Sequence, residues 1–275
     1  MVSSRADYSQ QATQAAHMVM LELVRILGEY HDDIVLVGGW VPELLFSQAQ
    51  PRHIGSTDVD LAVNHRTIGQ ERYRTILAHM HKQGYVEAHQ PFSFFRTVMV
   101  ENRPIKVQVD LLSGEYGGMG KKHRHQSVQN IKARKARGCD LAFEMTEEVK
   151  IEGTLPTGGK DSASVKVAGI VPFLVMKGMA LADRLKAKDA WDILFCLRNC
   201  HGGNAALAEA FRPHLSNKLV AEGLGKIRDK FQSVAHVGPV SCADFEEITD
   251  REDREVRERD AFERVNDLLQ RLGIV

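Results

Sequence analysis

The run Ser56-Thr57-Asp58-Val59-Asp60-Leu61-Ala62-Val63 constrains this chain more than any other, because acidic and aliphatic residues alternate along it. Successive side chains of a strand point to opposite faces, so Val59, Leu61 and Val63 turn toward a core while Asp58 and Asp60 share the other face. A second run, Ile105-Lys106-Val107-Gln108-Val109-Asp110-Leu111-Leu112, repeats the arrangement, with Ile105, Val107, Val109 and Leu111 on the core face and Asp110 opposite. If the two strands pair, three carboxylates converge. Such anions repel one another unless a cation lies between them, and an all-oxygen donor set suits magnesium. Each residue also has a plain structural reading: Asp58 caps a turn, Asp60 is a surface residue, and Asp110 pairs with a lysine.

Around these strands the periodicity sets out an α+β organisation. Ala16, Met20, Leu23, Val24 and Leu27 recur at helical spacing, and a short β-branched strand at Ile34–Val37 runs into Gly38, Gly39 and a helical stretch at 41–46. A glycine pair at a helix start can bring backbone N–H groups close to phosphate oxygens. Tyr73, Ile76, Leu77 and Met80 mark one face of a further helix, and residues 94–100 and 105–112 flank Glu101, Asn102, Arg103 and Pro104 as a hairpin. Two short strands are expected at 149–151 and 165–167, separated by a loop with Pro156, Gly158 and Gly159. From Pro172 onward the pattern is helical, and the densely charged stretch 245–272 reads as a solvated helix with ion pairs three or four residues apart. A chain of 275 residues is long for one domain, which predicts a mixed-sheet domain over 1–170 and a helical C-terminal domain over 171–275.

Lysine plus arginine and aspartate plus glutamate balance at 36 each, so attraction to nucleic acid has to come from a local patch. One candidate is the stretch 121–137, which carries Lys121, Lys122, Arg124, Lys132, Arg134, Lys135 and Arg137 with no acid among them; its plain reading is an exposed loop or helix. Cys139, Cys196, Cys200 and Cys242 form no CxxC pair and read as ordinary thiols. Cys196 and Cys200 beside His201 could begin a zinc site, but no second pair of ligands follows. No apolar run approaches twenty residues, which predicts no membrane span, and the polar start lacks the order of a signal peptide, which predicts a cytoplasmic protein.

In their order, the strand, Gly38-Gly39, the helix, Asp58-x-Asp60 and the later Asp110 resemble the DNA polymerase β-like nucleotidyltransferase superfamily. The segment from Val175 through Lys177, Ala180, Arg184, Lys188-Asp189 and Asp192 to Leu194 resembles the "K…A…R…KD..DL" segment of the AbiEii/AbiGii toxin family. Together the two motifs cover residues 30–200. The resemblance implies a nucleotidyltransferase fold, an α+β mixed sheet with a helical C-terminal domain, and transfer of a nucleoside monophosphate from a triphosphate to a hydroxyl. It implies that Asp58, Asp60 and Asp110 hold one or two magnesium ions. Asp58 and Asp60 would serve the triphosphate, and Asp110 a second ion or the acceptor hydroxyl. Gly38, Gly39, Thr57, Lys177, Arg184 and Asp189 would be the nucleotide-binding residues. Implied partners are a nucleoside triphosphate, an RNA 3′ end or a protein hydroxyl as acceptor, and the cognate antitoxin of a toxin–antitoxin pair.

The chain departs from the pattern twice. Trp40 stands where a small residue usually follows the glycines, which bears on the triphosphate contact, and the long spacing from Gly39 to Asp58 implies an extended loop around 48–55. The alternative is a catalytically silent module of this fold that binds a nucleotide or a partner. From spacing alone, Lys177, Arg184 and Lys188 share a face only if one continuous helix carries them; they could then hold phosphate, but periodicity by itself favours a solvated basic stripe. Trp191 and Phe195 read as core.

Overall fold

The computed structural model describes residues 4–64, 67–90, 92–114, 125–128 and 131–274. The chain divides into two compact units: one of residues 9–45 and 54–169, the other of residues 4–8, 46–53 and 170–274.

The first unit is built on one mixed sheet. Its strands are β1 (Ile34–Val37), β2 (Asp58–Val63), β3 (Val86–Glu87), β4 (Ser93–Val100), β5 (Arg103–Ser113), β6 (His125–Val128), β7 (Ile131–Lys135), β8 (Thr146–Thr154) and β9 (Lys160–Ala168). They run β3-β4-β5-β2-β1-β9-β8 across the sheet. β7 pairs with the end of β5 beyond β4, and β6 pairs with β7. β2 lies parallel to β5 and antiparallel to β1, so the two motif strands are neighbours. The helices are α1 (Gln10–Ile26), α2 (Val41–Leu45), α3 (Gln70–Lys82) and α4 (Leu141–Glu144).

The alternation read from the sequence sets the layers. Val59, Leu61, Val63, Val107, Val109 and Leu111 are buried in one cluster with Val19, Leu23, Ile76 and Met80 of α1 and α3. Burying each such aliphatic side chain is worth about 1.5–3 kcal/mol, which is why the register is strongly set: a slip of one residue would push this row outward. Ser9 starts α1 by accepting the Ala12 N–H at 3.2 Å. Glu22, in the buried stretch of α1, accepts two bonds from Arg96 of β4 at 2.9 and 3.0 Å and one from Tyr85 Oη at 2.8 Å. Burial, and then the Glu22 charge, raise the Tyr85 hydroxyl well above its usual range, so it stays a donor. The β4–β5 hairpin turns at Glu101 and Asn102, with φ of 48° and 63°, as a two-residue turn whose twist matches its strands. The strands expected at 149–151 and 165–167 lie within the longer hairpin β8–β9.

The basic stretch 121–137, expected as an exposed loop or helix, is strand at 125–128 and 131–135 and enters a turn at 137 where it is described. Lys132, Arg134 and Lys135 lie on β7 and Arg137 just beyond it, while Lys121, Lys122 and Arg124 fall outside the described residues.

The second unit is helical: α5 (Ile170–Arg184), α6 (Ala187–Asn199), α7 (Gly203–Phe211), α8 (Lys218–Lys230), α9 (Val237–Phe245) and α10 (Arg251–Arg271). α5 and α8 cross closely at two glycines: a Cβ at Gly178 would lie 2.5 Å from the Gly223 carbonyl oxygen. Residues 4–8 and 46–53, which the sequence reading placed with the sheet, belong here because of their aromatic anchors. Tyr8 meets Phe245 at 5.7 Å, Phe46 meets Phe195 at 6.3 Å, and His53 lies 4.9 Å from Trp191. The charged stretch is α10, capped by Asp250 and laced by Arg251–Glu255, Arg254–Glu258 and Asp260–Arg264, with Ala261, Val265, Leu268 and Leu269 buried. Among the described residues no helix is long and apolar enough to cross a membrane.

Candidate functional site

β2 and β5 bring the three acids together. Asp60 and Asp110 are direct partners across the parallel pair, and Asp58 stands opposite Gln108 one step back on the same face. Adjacent strands lie about 4.8 Å apart and side chains two residues apart project from one face, so all three carboxylates share one patch of the sheet. Asp58 and Asp60 are half-buried, whereas Asp110 is only 7% exposed. Ser93 Oγ donates to Asp110 Oδ1 at 2.6 Å and Gln108 Nε2 donates to the same oxygen at 2.9 Å, fixing the orientation of that carboxylate. The Ser56 hydroxyl donates to Asp58 Oδ1.

The glycine pair acts on this patch differently from the expectation. Gly38–Trp40 forms a 3₁₀ turn after β1 rather than the first turn of a long helix, and α2 has five residues. Gly38 has φ +74°, and a Cβ there would lie 2.1 Å from Asp60 Oδ2. Only glycine both accepts that φ cheaply and leaves the space that the Asp60 carboxylate occupies. Gly39 is buried. Thr57 is half-buried at the entry to β2.

Trp40 is the residue that explains its own departure from the pattern. Its ring is 4% exposed, its Nε1 donates to the Asp58 carbonyl oxygen at 2.9 Å, and its six-membered edge would lie 2.7 Å from a Cβ at Gly55. It therefore pins the start of β2, and with it Asp58, from below. The long connection before Asp58 is an extended segment with no helix or strand from 48 to 57.

Cys139, fully buried, feels the charges of both Asp140 and Asp60. Burial first, then those carboxylates, push the thiol upward, which keeps it protonated and unreactive. Cys196, Cys200 and Cys242 are free thiols as well, also raised by burial.

In the helical unit the "K…R…KD..D" residues converge, but on one another. Leu185 has φ +48° and ends α5, so Lys188 sits on α6; the continuous helix required for one basic stripe is not formed. Asp189 instead receives Lys177 Nζ at 2.8 Å and Arg184 Nε and Nη2 at 2.7 and 2.8 Å. Asp192 receives Lys177 at 2.6 Å, Lys188 at 2.8 Å and His53 Nε2 at 2.9 Å. Burial alone would lower Lys177, but Asp189 and Asp192 override it and hold the ammonium above its usual range. Burial lowers Lys188 despite Asp192, and burial with the Lys188 charge lowers His53 to about 4, leaving a neutral ring that donates to Asp192. Neither the His53 partnership nor the Asp192 hub could be read from spacing, since His53 lies 139 residues from Asp192. Ser93 and Gln108 were missed for a related reason: neither residue type is a signal until the β4–β5–β2 register is known.

No protein-family model, curated protein or solved structure matches the chain. Among the described residues, no three or more His, Cys, Asp or Glu side chains form by themselves a group that could hold a metal ion. Magnesium does not require such a group, because it keeps several waters and binds through one or two carboxylates plus substrate phosphates. An all-oxygen set on two adjacent strands, with the Asp60 carboxylate seated in the space that Gly38 leaves for it, fits that mode.

Proposed function

We propose that this chain is a magnesium-dependent nucleotidyltransferase. In this reading it moves a nucleoside monophosphate from a triphosphate to a hydroxyl acceptor, an RNA 3′ end or a protein. The observation that carries the reading is the pairing of Asp60 with Asp110 on neighbouring parallel strands, with Asp58 on the same face and Gly38 making room for the Asp60 carboxylate. Support comes also from the order of the motifs, which resembles the DNA polymerase β-like superfamily and, in its second part, the AbiEii/AbiGii toxin family.

Asp58 and Asp60 would hold the ion on the triphosphate side, and Asp110 the acceptor side. The bound ion supplies positive charge against the phosphates and the departing pyrophosphate. The chain's own work is positional. Ser93 and Gln108 aim Asp110, Trp40 fixes the backbone at Asp58, and Gly38 with Gly39 lets the chain turn beside Asp60. Lys177 and Arg184, for which the resemblance implies nucleotide binding, are engaged by Asp189 within the helical unit. If the likeness to toxins extends to biology, the partner is a cognate antitoxin in a cytoplasmic pair.

Incubation with magnesium, the four labelled nucleoside triphosphates and total RNA tests the reading. Label transferred to an acceptor with release of pyrophosphate supports it. Triphosphate binding without transfer would favour the silent module, for which Trp40 no longer argues now that packing accounts for it.

A further inference from the structure

The face that carries the carboxylates does not end with them. Ser93 is the partner of Asp110, Phe95 of Gln108, and Thr97 of Lys106, while Val86 of β3 is the partner of Phe95. In-register partners share a face, so Asp58, Asp60, Asp110, Ser93, Phe95, Lys106 and Val86 all project from one side of the sheet. Phe95 lies two residues along β4 from Ser93, about 7 Å from the residue that aims Asp110.

Here the face opens into a cavity of about 500 Å³ whose walls include Val86, Ala88, His89, Phe95, Thr97 and Lys106. Its chemistry is uneven. Val86 is 64% exposed and Phe95 is half-buried. The Lys106 ammonium rests 3.7 Å from the Phe95 ring centroid, and the lysine is otherwise exposed. Arg96 also borders the cavity, but its guanidinium is spent on Glu22. Glu87, which also borders the cavity, pairs with His81 at 3.5 Å, and beside it and His89 stand an aromatic face, an apolar neighbour and the exposed Lys106 ammonium, at the edge of the sheet where β3 is the last strand.

We propose that this cavity is the platform on which the terminal nucleotides of a single-stranded polynucleotide acceptor bind. A base stacks on Phe95 against Val86, Lys106 swings from the ring to a backbone phosphate, and the rest of the strand leaves over the β3 edge. An aromatic face beside a cation is the combination that holds single strands without reading their sequence. The open edge favours a polymer over a lone triphosphate, because a chain has further residues to place beyond it. The inference rests on the transferase reading for the word acceptor, but its test does not require turnover.

Binding of a 5′-labelled ten-nucleotide oligoadenylate is measured by fluorescence anisotropy, over a range of salt, for the unaltered protein, Phe95→Ala, Phe95→Leu, Phe95→Trp and Lys106→Gln. Loss of one stacked base predicts about a 5- to 100-fold weaker Kd for Phe95→Ala. Phe95→Leu should be nearly as weak, since it keeps apolar area but no aromatic face, and Phe95→Trp should bind at least as well as the original. Lys106→Gln, on an exposed side chain that leaves the fold intact, should reduce the slope of log Kd against log salt by about 0.7. Absence of oligonucleotide binding, or equal binding by all five proteins, overturns the proposal. So does an equal loss of labelled triphosphate binding in Phe95→Ala, which would make the platform the seat of the incoming base. Failure of the transferase reading shows separately, as absence of transfer by a protein that still binds the oligonucleotide through Phe95.

Discussion

Replacing Gly38 by alanine asks one atom to do two incompatible things. The residue has φ +74°, where an L side chain costs roughly 1–2 kcal/mol. The new Cβ would also lie 2.1 Å from Asp60 Oδ2 and 2.9 Å from Asp60 Cβ and Cγ, inside the 3.0 Å that real contacts respect. The three nearest atoms all belong to Asp60, whose carboxylate must retreat by about 1 Å. A displacement of that size at a reacting centre can lower the rate by about 100-fold. The expected result is a loss of about 1–2 kcal/mol in urea unfolding, read from the midpoint at unchanged slope, with transfer falling about 100-fold. Gly28→Ala is the control: it has an ordinary φ and nothing within 4 Å of its new Cβ, so both readouts should hold. Unchanged transfer and stability in Gly38→Ala would refute the idea that this glycine exists to seat Asp60.

Trp40→Phe keeps an aromatic ring but removes the donor to the Asp58 carbonyl, and should cost about 1–2 kcal/mol in urea unfolding, with a lowered transfer rate because the backbone that carries Asp58 loses its anchor. Asp192→Asn leaves Lys177, Lys188 and His53 buried around a neutral amide and should destabilise the protein by about 3–5 kcal/mol; a loss under 1 kcal/mol by chemical denaturation would show that the hub is dispensable. His53 sets a pH dependence of definite sign. Its folded value, about 4, lies below the free value of 6.5, so the unfolded chain binds more protons between these limits and stability falls as pH drops through them. Between pH 7 and pH 5 this amounts to about 2 kcal/mol, which His53→Gln should abolish in parallel urea titrations. Asp110→Asn should slow transfer strongly while leaving triphosphate affinity nearly unchanged by calorimetry; collapse of affinity there and not in Asp60→Asn would exchange the two roles.

How much of this was legible in the sequence depends on the range of the interaction. Period-two alternation at 58–63 and 105–112 carried the strands, their faces and the convergence of three acids, because one buried face dictates the register of the other. The 101–104 turn announced its hairpin for the same local reason. Long-range partners were hidden. Nothing about His53 reveals that it seats against Asp192, and the segments 4–8 and 46–53 join the helical unit through Tyr8, Phe46 and His53, aromatic contacts that no spacing encodes. The basic stripe failed because it assumed that α5 and α6 were one helix, and the break at Leu185 is a backbone event with no proline or glycine to mark it. Trp40, odd by comparison with a motif, became intelligible only beside the Asp58 carbonyl and Gly55.

The central claim is that Asp58 and Asp60 hold the ion that makes transfer possible. It is tested most directly by measuring magnesium-dependent release of pyrophosphate from labelled triphosphates, in the presence of total RNA, by the unaltered protein, Asp58→Asn and Asp60→Asn. Each substitution removes a charge from a crowded anionic patch, so both variants should unfold at the same urea concentration as the parent or a higher one. The expected outcome is release by the parent that rises with magnesium, and no release above background by either folded variant. Full release by Asp58→Asn or Asp60→Asn would contradict the assignment.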